Sequence, residues 1–243
     1  MNFTKFIKHL FEGKSDCYEF VSLGYNCLPR RIFTECGFIK TAQQGQVSFP
    51  FDLCVTHLSS LNRILQNNFK DLLQNIVFND EAGLYHNAKY RIEYNHDKDC
   101  PNSSEGKEKI VSRYKKRIQN FQGIMQSDAH IFFVCNAFSP SENEFNKLYK
   151  NLKKLRKGKP FTLIVLDLDE KLDKKILRKK IVLIKEKHPF GALNDWWLPV
   201  NLELFNVFRF KVAVKIERVL RKKRFMPIYY NSSLEDYKKS LKQ

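Results

Sequence analysis

Cys27 ends a run, VSLGYNC at residues 21–27, that reads as a buried strand broken by Gly24. The LPRRIFTECGF that follows has a proline suited to a helix's first turn and, at Gly37, a suitable stop. A thiol at the amino end of a helix faces unpaired backbone N–H groups and the positive end of the dipole, and both favour thiolate over thiol. That is how a nucleophile is made. Gly24 permits the tight turn out of the strand, the N–H of Cys27 can point at a developing oxyanion, and Asn26 can add a side-chain donor. Alone, the stretch suits inert packing better, because cysteine is among the most buried residue types.

Two further stretches shift that balance. VSFPFDLCVT, residues 47–56, holds a proline-fixed turn carrying Ser48 and Asp52, and YRIEYNHD presents His96 and Asp97 at a strand end. In this order, SLGYNC, SFPFDL and NHD resemble the bacterial family described as papain-like cysteine peptidases, whose members show SLGxNC, S-x-PFDW and HD motifs. The resemblance spans about residues 18–135, with Leu53 in the place of the family's tryptophan. The family's basic helix with paired arginines has its counterpart in RYKKRIQNF, with Arg117 kept and Lys116 replacing an arginine.

The resemblance implies a thiol nucleophile, Cys27, with His96 as general base. The imidazole would take the thiol proton and later protonate the leaving group. Asp97 is the motif's choice for the group that orients the ring. Neighbouring residues on a strand point to opposite faces unless the chain turns, so Asp52 and Asn136 are rivals for that role. No glutamine completes an oxyanion hole before the cysteine, where Val21, Ser22 and Leu23 stand.

Other residues offer weaker chemistry. His86, flanked by Tyr85 and Tyr90, is a reserve base, while His57, His130 and His188 read as capping or solvent-facing residues. Asp195, Trp196 and Trp197 in NDWWLP would suit a stacking wall or a lid, and equally core packing. VLDLD sets Asp167 and Asp169 at a strand's carboxyl end, where open α/β sheets bind ligands and where a divalent cation could meet a sugar nucleotide. The pattern is short and common. Phosphate-binding loops and dinucleotide glycine fingerprints are absent from the sequence, and no cofactor or metal is expected.

These residues need a frame. YEFVS, KYRIEY, HIFFVCNAF, FTLIVLDLD and KKIVLIKE read as strands. THLSSLNRILQNNFKDLLQNI reads as one long amphipathic helix with Thr56 as its cap, EGKEKIVSRYKKRIQNF as a basic helix, and SENEFNKLYKNLKKLRKG as a helix with a Ser141–Glu144 capping box. Alternating strands and helices predict a single α/β domain over residues 1–243, with a mostly parallel central sheet flanked by helices and residues 205–243 as a basic C-terminal extension. A papain-like α+β fold is the alternative. LFNVFRFKVAVKIERVLRKKRF fits strand alternation as well as a helix face, and its length favours helix.

With 43% apolar residues and 21 phenylalanines in 243 residues, the chain can fill a substantial core. Six cysteines without a CxxC pair signal neither a zinc knuckle nor a redox dithiol. The amphipathic start, MNFTKFIKHLFEGK, lacks the features of a signal peptide, so the expected setting is reducing and cytoplasmic. A formal charge of +17 points to an anionic partner or surface, the inner membrane face included, without naming it; no nucleic-acid motif accompanies the charge. The leading expectation is a cysteine-dependent hydrolase or acyltransferase acting on a peptide, acyl or glycan conjugate. The alternatives are a metal-dependent glycosyltransferase-like enzyme using Asp167 and Asp169, and a non-catalytic basic module docking on anionic membrane or glycan.

Overall fold

The computed structural model describes residues 18–137, 141–190 and 201–240. The amphipathic start, Cys17 and the NDWWLP stretch lie outside them. Four strands form one sheet in the order β1-β5-β6-β7: β1 (Tyr18–Ser22), β5 (His130–Ala137), β6 (Phe161–Asp167) and β7 (Ile181–Lys185). Every pairing is parallel, with Val21 opposite Phe133 and Phe133 opposite Leu163. The parallel ladder decides for the α/β expectation and against the α+β alternative. It also gathers all four carboxyl ends at one rim, and Cys27 follows the first of them.

Helices cover both faces because both faces of these strands are apolar. On one side lie α1 (Leu28–Glu35), α5 (Leu202–Lys222) and α6 (Ser233–Ser240), packed over Phe20, Phe132, Val134, Ile164 and Leu166. On the other lie α2 (Leu58–Gln66), α3 (Ser104–Gln126) and α4 (Glu142–Arg156), packed over Val21, Phe133, Leu163 and Val165. Ser103 caps α3 by accepting from Gly106 N, and Ser141 caps α4 by accepting from Glu144 N. The ambiguous C-terminal run is helical as α5. Phe205, Phe208, Val212, Ala213, Ile216 and Leu220 form its buried face, which makes it part of the core. No helix among the described residues is long and apolar enough to cross a membrane.

A second, antiparallel sheet of β2 (Ile76–Asn79), β3 (Leu84–Asn87) and β4 (Ile92–Glu93) was not foreseen as a unit. Its hairpin turns at Asn79, whose Oδ1 accepts from Ala82 N, and at Gly83 with φ +62°. The long helix expected over residues 56–76 stops short of it: residues 67–75 form turns that lead into β2. That helix ends at Gln66 because Asn68 and Phe69 take φ of 49° and 62°, and asparagine enters this left-handed region readily. Thr56 does not cap α2: its N–H donates to Tyr25 O, and His57 holds the cap position. KYRIEY keeps only Ile92 and Glu93 as strand, because Arg91 at φ 52° breaks the run ahead of them.

Candidate functional site

Cys27 is the residue immediately before α1 and is 4% exposed. The loop that delivers it is fixed almost wholly by the end of β5. Leu23 N donates to Val134 O at 2.8 Å, and Tyr25 N to Asn136 O at 2.9 Å and to Asn136 Oδ1 at 3.0 Å. Asn136 Nδ2 donates to Asn26 Oδ1 at 3.1 Å, and the same oxygen accepts from Leu28 N at 3.0 Å, which caps α1 from the residue before Cys27. Gly24 is required by this close approach. A Cβ there would collide with Asn136 Oδ1 and sit 2.7 Å from Asn26 O and 2.8 Å from Pro29 Cδ.

The second motif lies between the other two. Thr56 N donates to Tyr25 O at 2.8 Å, and Val55 pairs with Glu93 through bonds of 2.9 and 3.1 Å. Residues 55 and 56 therefore join the cysteine loop to the strand that leads to His96. Upstream, Asp52 is fully buried, accepts from Phe49 N at 2.8 Å and meets Arg30 at 3.3 Å, so it closes the proline turn. Burial pushes its carboxyl up to about 6, against the charge of Arg30 and the Phe49 N–H. Ser48 is half-buried and its carbonyl accepts from Asn120.

After β4 the chain turns, with Asp97 N bonded to Tyr94 O and Cys100 N to Asp97 O. The His96 side chain is exposed, while Asp97 beside it is buried. The Asp97 carboxylate turns to α3: Arg113 meets it at 2.5 Å, Arg117 at 3.3 Å, and Tyr114 Oη donates at 3.2 Å. Both its oxygens are thus engaged by α3, and none of its hydrogen bonds goes to the imidazole among the described residues. No hydrogen bond joins Cys27 Sγ to the His96 ring among the described residues.

Cys27 and His96 share an electrostatic neighbour, Arg31, one helical turn beyond Cys27. Burial pushes the Cys27 thiol above its ordinary value, opposed by Arg31 and by the residue's own N–H. Partial desolvation lowers His96 below its ordinary value; Asp97 opposes this, and Arg31, Arg117 and Lys98 add to it. Both groups therefore rest neutral near pH 7, as thiol and imidazole. Arg31 itself is held by Glu35 at 2.5 Å and lies over the Phe205 ring. Sequence reasoning missed Arg31 and Arg113; the i, i+4 spacing from Cys27 was the available signal for the first.

Other candidates fall elsewhere or are otherwise engaged. His86 sits on β3 opposite Glu93, its Nδ1 buried without a partner. His57 packs its ring against Tyr25, 5.3 Å between centroids. His188, read as a capping or solvent-facing residue, is 3% exposed, accepts from Phe190 N and packs on Phe208, and burial lowers it to about 4. Asp167 is buried and accepts from Lys171 N and Leu172 N, which closes the loop after β6. Among the described residues no group of three or more His, Cys, Asp or Glu is placed to hold a metal ion. A cleft of about 560 Å³ flanks β1 between Phe38, Lys40 and Tyr230, but none of the candidate residues lines it.

The family model described as "putative papain-like cysteine peptidase (DUF1796)" matches residues 18–171, which contain all three motifs. The chain belongs to this family. In this DUF1796 member the matched region runs from β1 to just past β6, so β7 and α5 pack onto it from outside the match. No curated protein and no solved structure matches the chain.

Proposed function

We propose that the protein is a cysteine-dependent hydrolase or acyltransferase in which Cys27 attacks an acyl carbon and His96 acts as general base. The observation that carries this reading is the bridge formed by residues 55 and 56, which ties the cysteine loop to the strand preceding His96 at the rim where open α/β sheets bind ligands. Because both groups rest neutral, the proton passes from thiol to imidazole as the sulfur attacks, and returns from imidazolium to the leaving group. The Cys27 N–H and the Asn26 amide nitrogen serve as oxyanion donors; the Asn26 carbonyl, held by Leu28 N and Asn136, fixes that amide. Asp97 is a positioning residue that fastens the turn carrying His96 to α3. Asp52 and Ser48 shape the connecting turn. The five described cysteines are unpaired, which supports a reducing compartment.

Iodoacetamide labelling followed by peptide mass spectrometry tests the reading across a pH series. Cys27 should label faster than Cys36, Cys54 and Cys135, whose thiols burial pushes up further, and at a rate still rising through pH 9 because its own thiol lies above its ordinary value. Cys27→Ala should abolish turnover of acyl substrates, and His96→Ala should slow it about 10²–10⁴-fold. Turnover that survives in Cys27→Ala, or labelling that favours Cys36, Cys54 or Cys135 over Cys27, overturns the proposal.

A further inference from the structure

The face of α3 that sends Arg113 and Arg117 to Asp97 continues outward into an open cleft of about 490 Å³. Lys109, Arg113, Lys116 and Arg117 supply its charge, and Ser48, Ser112 and Asn120 add neutral hydrogen-bonding groups. The helical positions recur every three or four residues, so they form one stripe about 16 Å long. Asp99 meets Lys109 at 2.8 Å and Arg113 at 2.7 Å, and Asp97 meets Arg113 and Arg117. Four cations less two carboxylates leave two positive charges, and Lys116 is exposed with no ion pair among the described residues.

The lining carries no aromatic and no aliphatic side chain. A nucleotide base would find no aromatic ring to stack on, only two guanidinium groups already held by Asp97 and Asp99, and an acyl chain nothing apolar to cover it. An extended peptide needs neither. It advances about 3.3 Å per residue with side chains alternating, so about five residues span the stripe and three of their side chains face it. Carboxylates at those places would meet lysine and arginine in charge-assisted hydrogen bonds. The cleft also adjoins the candidate site, since Asp97 follows His96 and is bonded to two of the cleft's arginines.

We propose that this stripe of α3 receives the acidic side chains of an extended peptide segment of the substrate, next to the acyl group that Cys27 attacks; the assignment rests on the function proposed above. The probe is a fluorescein-labelled pentapeptide with glutamate at alternate positions, read by anisotropy against the full-length Cys27→Ala protein at roughly 0.15 M salt. It should bind, and the counterpart with glutamine should not. Lys116→Glu should weaken binding about tenfold, and Lys116→Glu with Ser112→Glu further, while Lys222→Glu with Lys223→Glu at the exposed end of α5 should leave it unchanged. Equal binding of the glutamine peptide, equal loss in the α5 variant, or tighter binding of an oligothymidylate through the same residues overturns the proposal. Because binding is read without the thiol, failure of Cys27 chemistry leaves this result intact. Conversely, an empty cleft leaves the labelling of Cys27 unchanged.

Discussion

Cys27 and His96 are carried by regions built in opposite ways. The cysteine loop is locked by backbone: β1 pairs in parallel with β5, the ladder continues into residues 23 and 25, and one asparagine, Asn136, ties Tyr25 and Asn26 to the same strand end. The histidine turn follows a strand of only two residues and is fastened by side-chain charge, through Asp97 to Arg113 and Arg117. On the proposed function, a nucleophile held by a ladder has little freedom to move. The proposed base, held by an ion-pair cluster, can shift with modest side-chain rotation, which suits a residue that has no hydrogen bond to Cys27 here and would need to approach it.

Breaking the charge anchor gives the largest expected effect. Asp97→Asn leaves Arg117 buried without its counter-charge and should cost about 3–5 kcal/mol in urea unfolding, with the mobility of the His96 turn rising in hydrogen exchange. A loss below about 1 kcal/mol would mean that the turn is held by its backbone after all.

A control outside both regions comes from His188. Its folded value of about 4 lies below the usual histidine value of 6.5, so the unfolded chain binds more protons between them. Stability from keeping this ring neutral is complete above pH 6.5 and is lost as pH falls toward 4, by about 3 kcal/mol. Comparing urea midpoints of wild type and His188→Leu across that window should show the acid-side loss reduced in the variant. Equal slopes would remove the assignment to His188.

Gly24→Ala probes the backbone-locked side. The added methyl group meets Asn136 and Asn26, and the expected cost is about 1–3 kcal/mol. Labelling of Cys27 should change with it, while exchange protection around His96 should not. A parallel change in both regions would show that residues 55 and 56 couple them more tightly than the contrast allows. Smallest of all, Ser103→Ala should lower the melting temperature by the equivalent of about 1 kcal/mol, through loss of the cap that begins α3. An unchanged melting temperature would indicate that the arginines alone hold that end of the helix.

Much of the frame was legible in the chain. The continuous apolar runs HIFFVCNA and FTLIVLD, short and rich in aromatic and β-branched residues, read as strands buried on both faces, and the helices between them call for parallel pairing. Ser141 and Ser103 precede helices whose first turns hold glutamate, and both starts are capped as such sequences are. The small antiparallel sheet was harder to read. Apolar residues at 69, 72 and 76 continue a helical period past Gln66, and only the left-handed turn at Asn68 and Phe69, settled by packing against Phe51 and Phe121, ends it.

By itself the sequence determined the residue types, the three motifs and their order, the charge, and that a thiol would precede a helix after a strand. These depend on local pattern and on the covalent order of the chain. Tertiary structure decided the remainder: that residues 55 and 56 bridge the first motif to the third, that the Asp97 carboxylate is engaged by α3, that Arg31 acts on both Cys27 and His96, and that burial raises the thiol which the helix end alone would lower. Each of these turns on which groups from distant parts of the chain exclude water or place a charge at one spot, and that is fixed only when the sheet and both helical layers close around it.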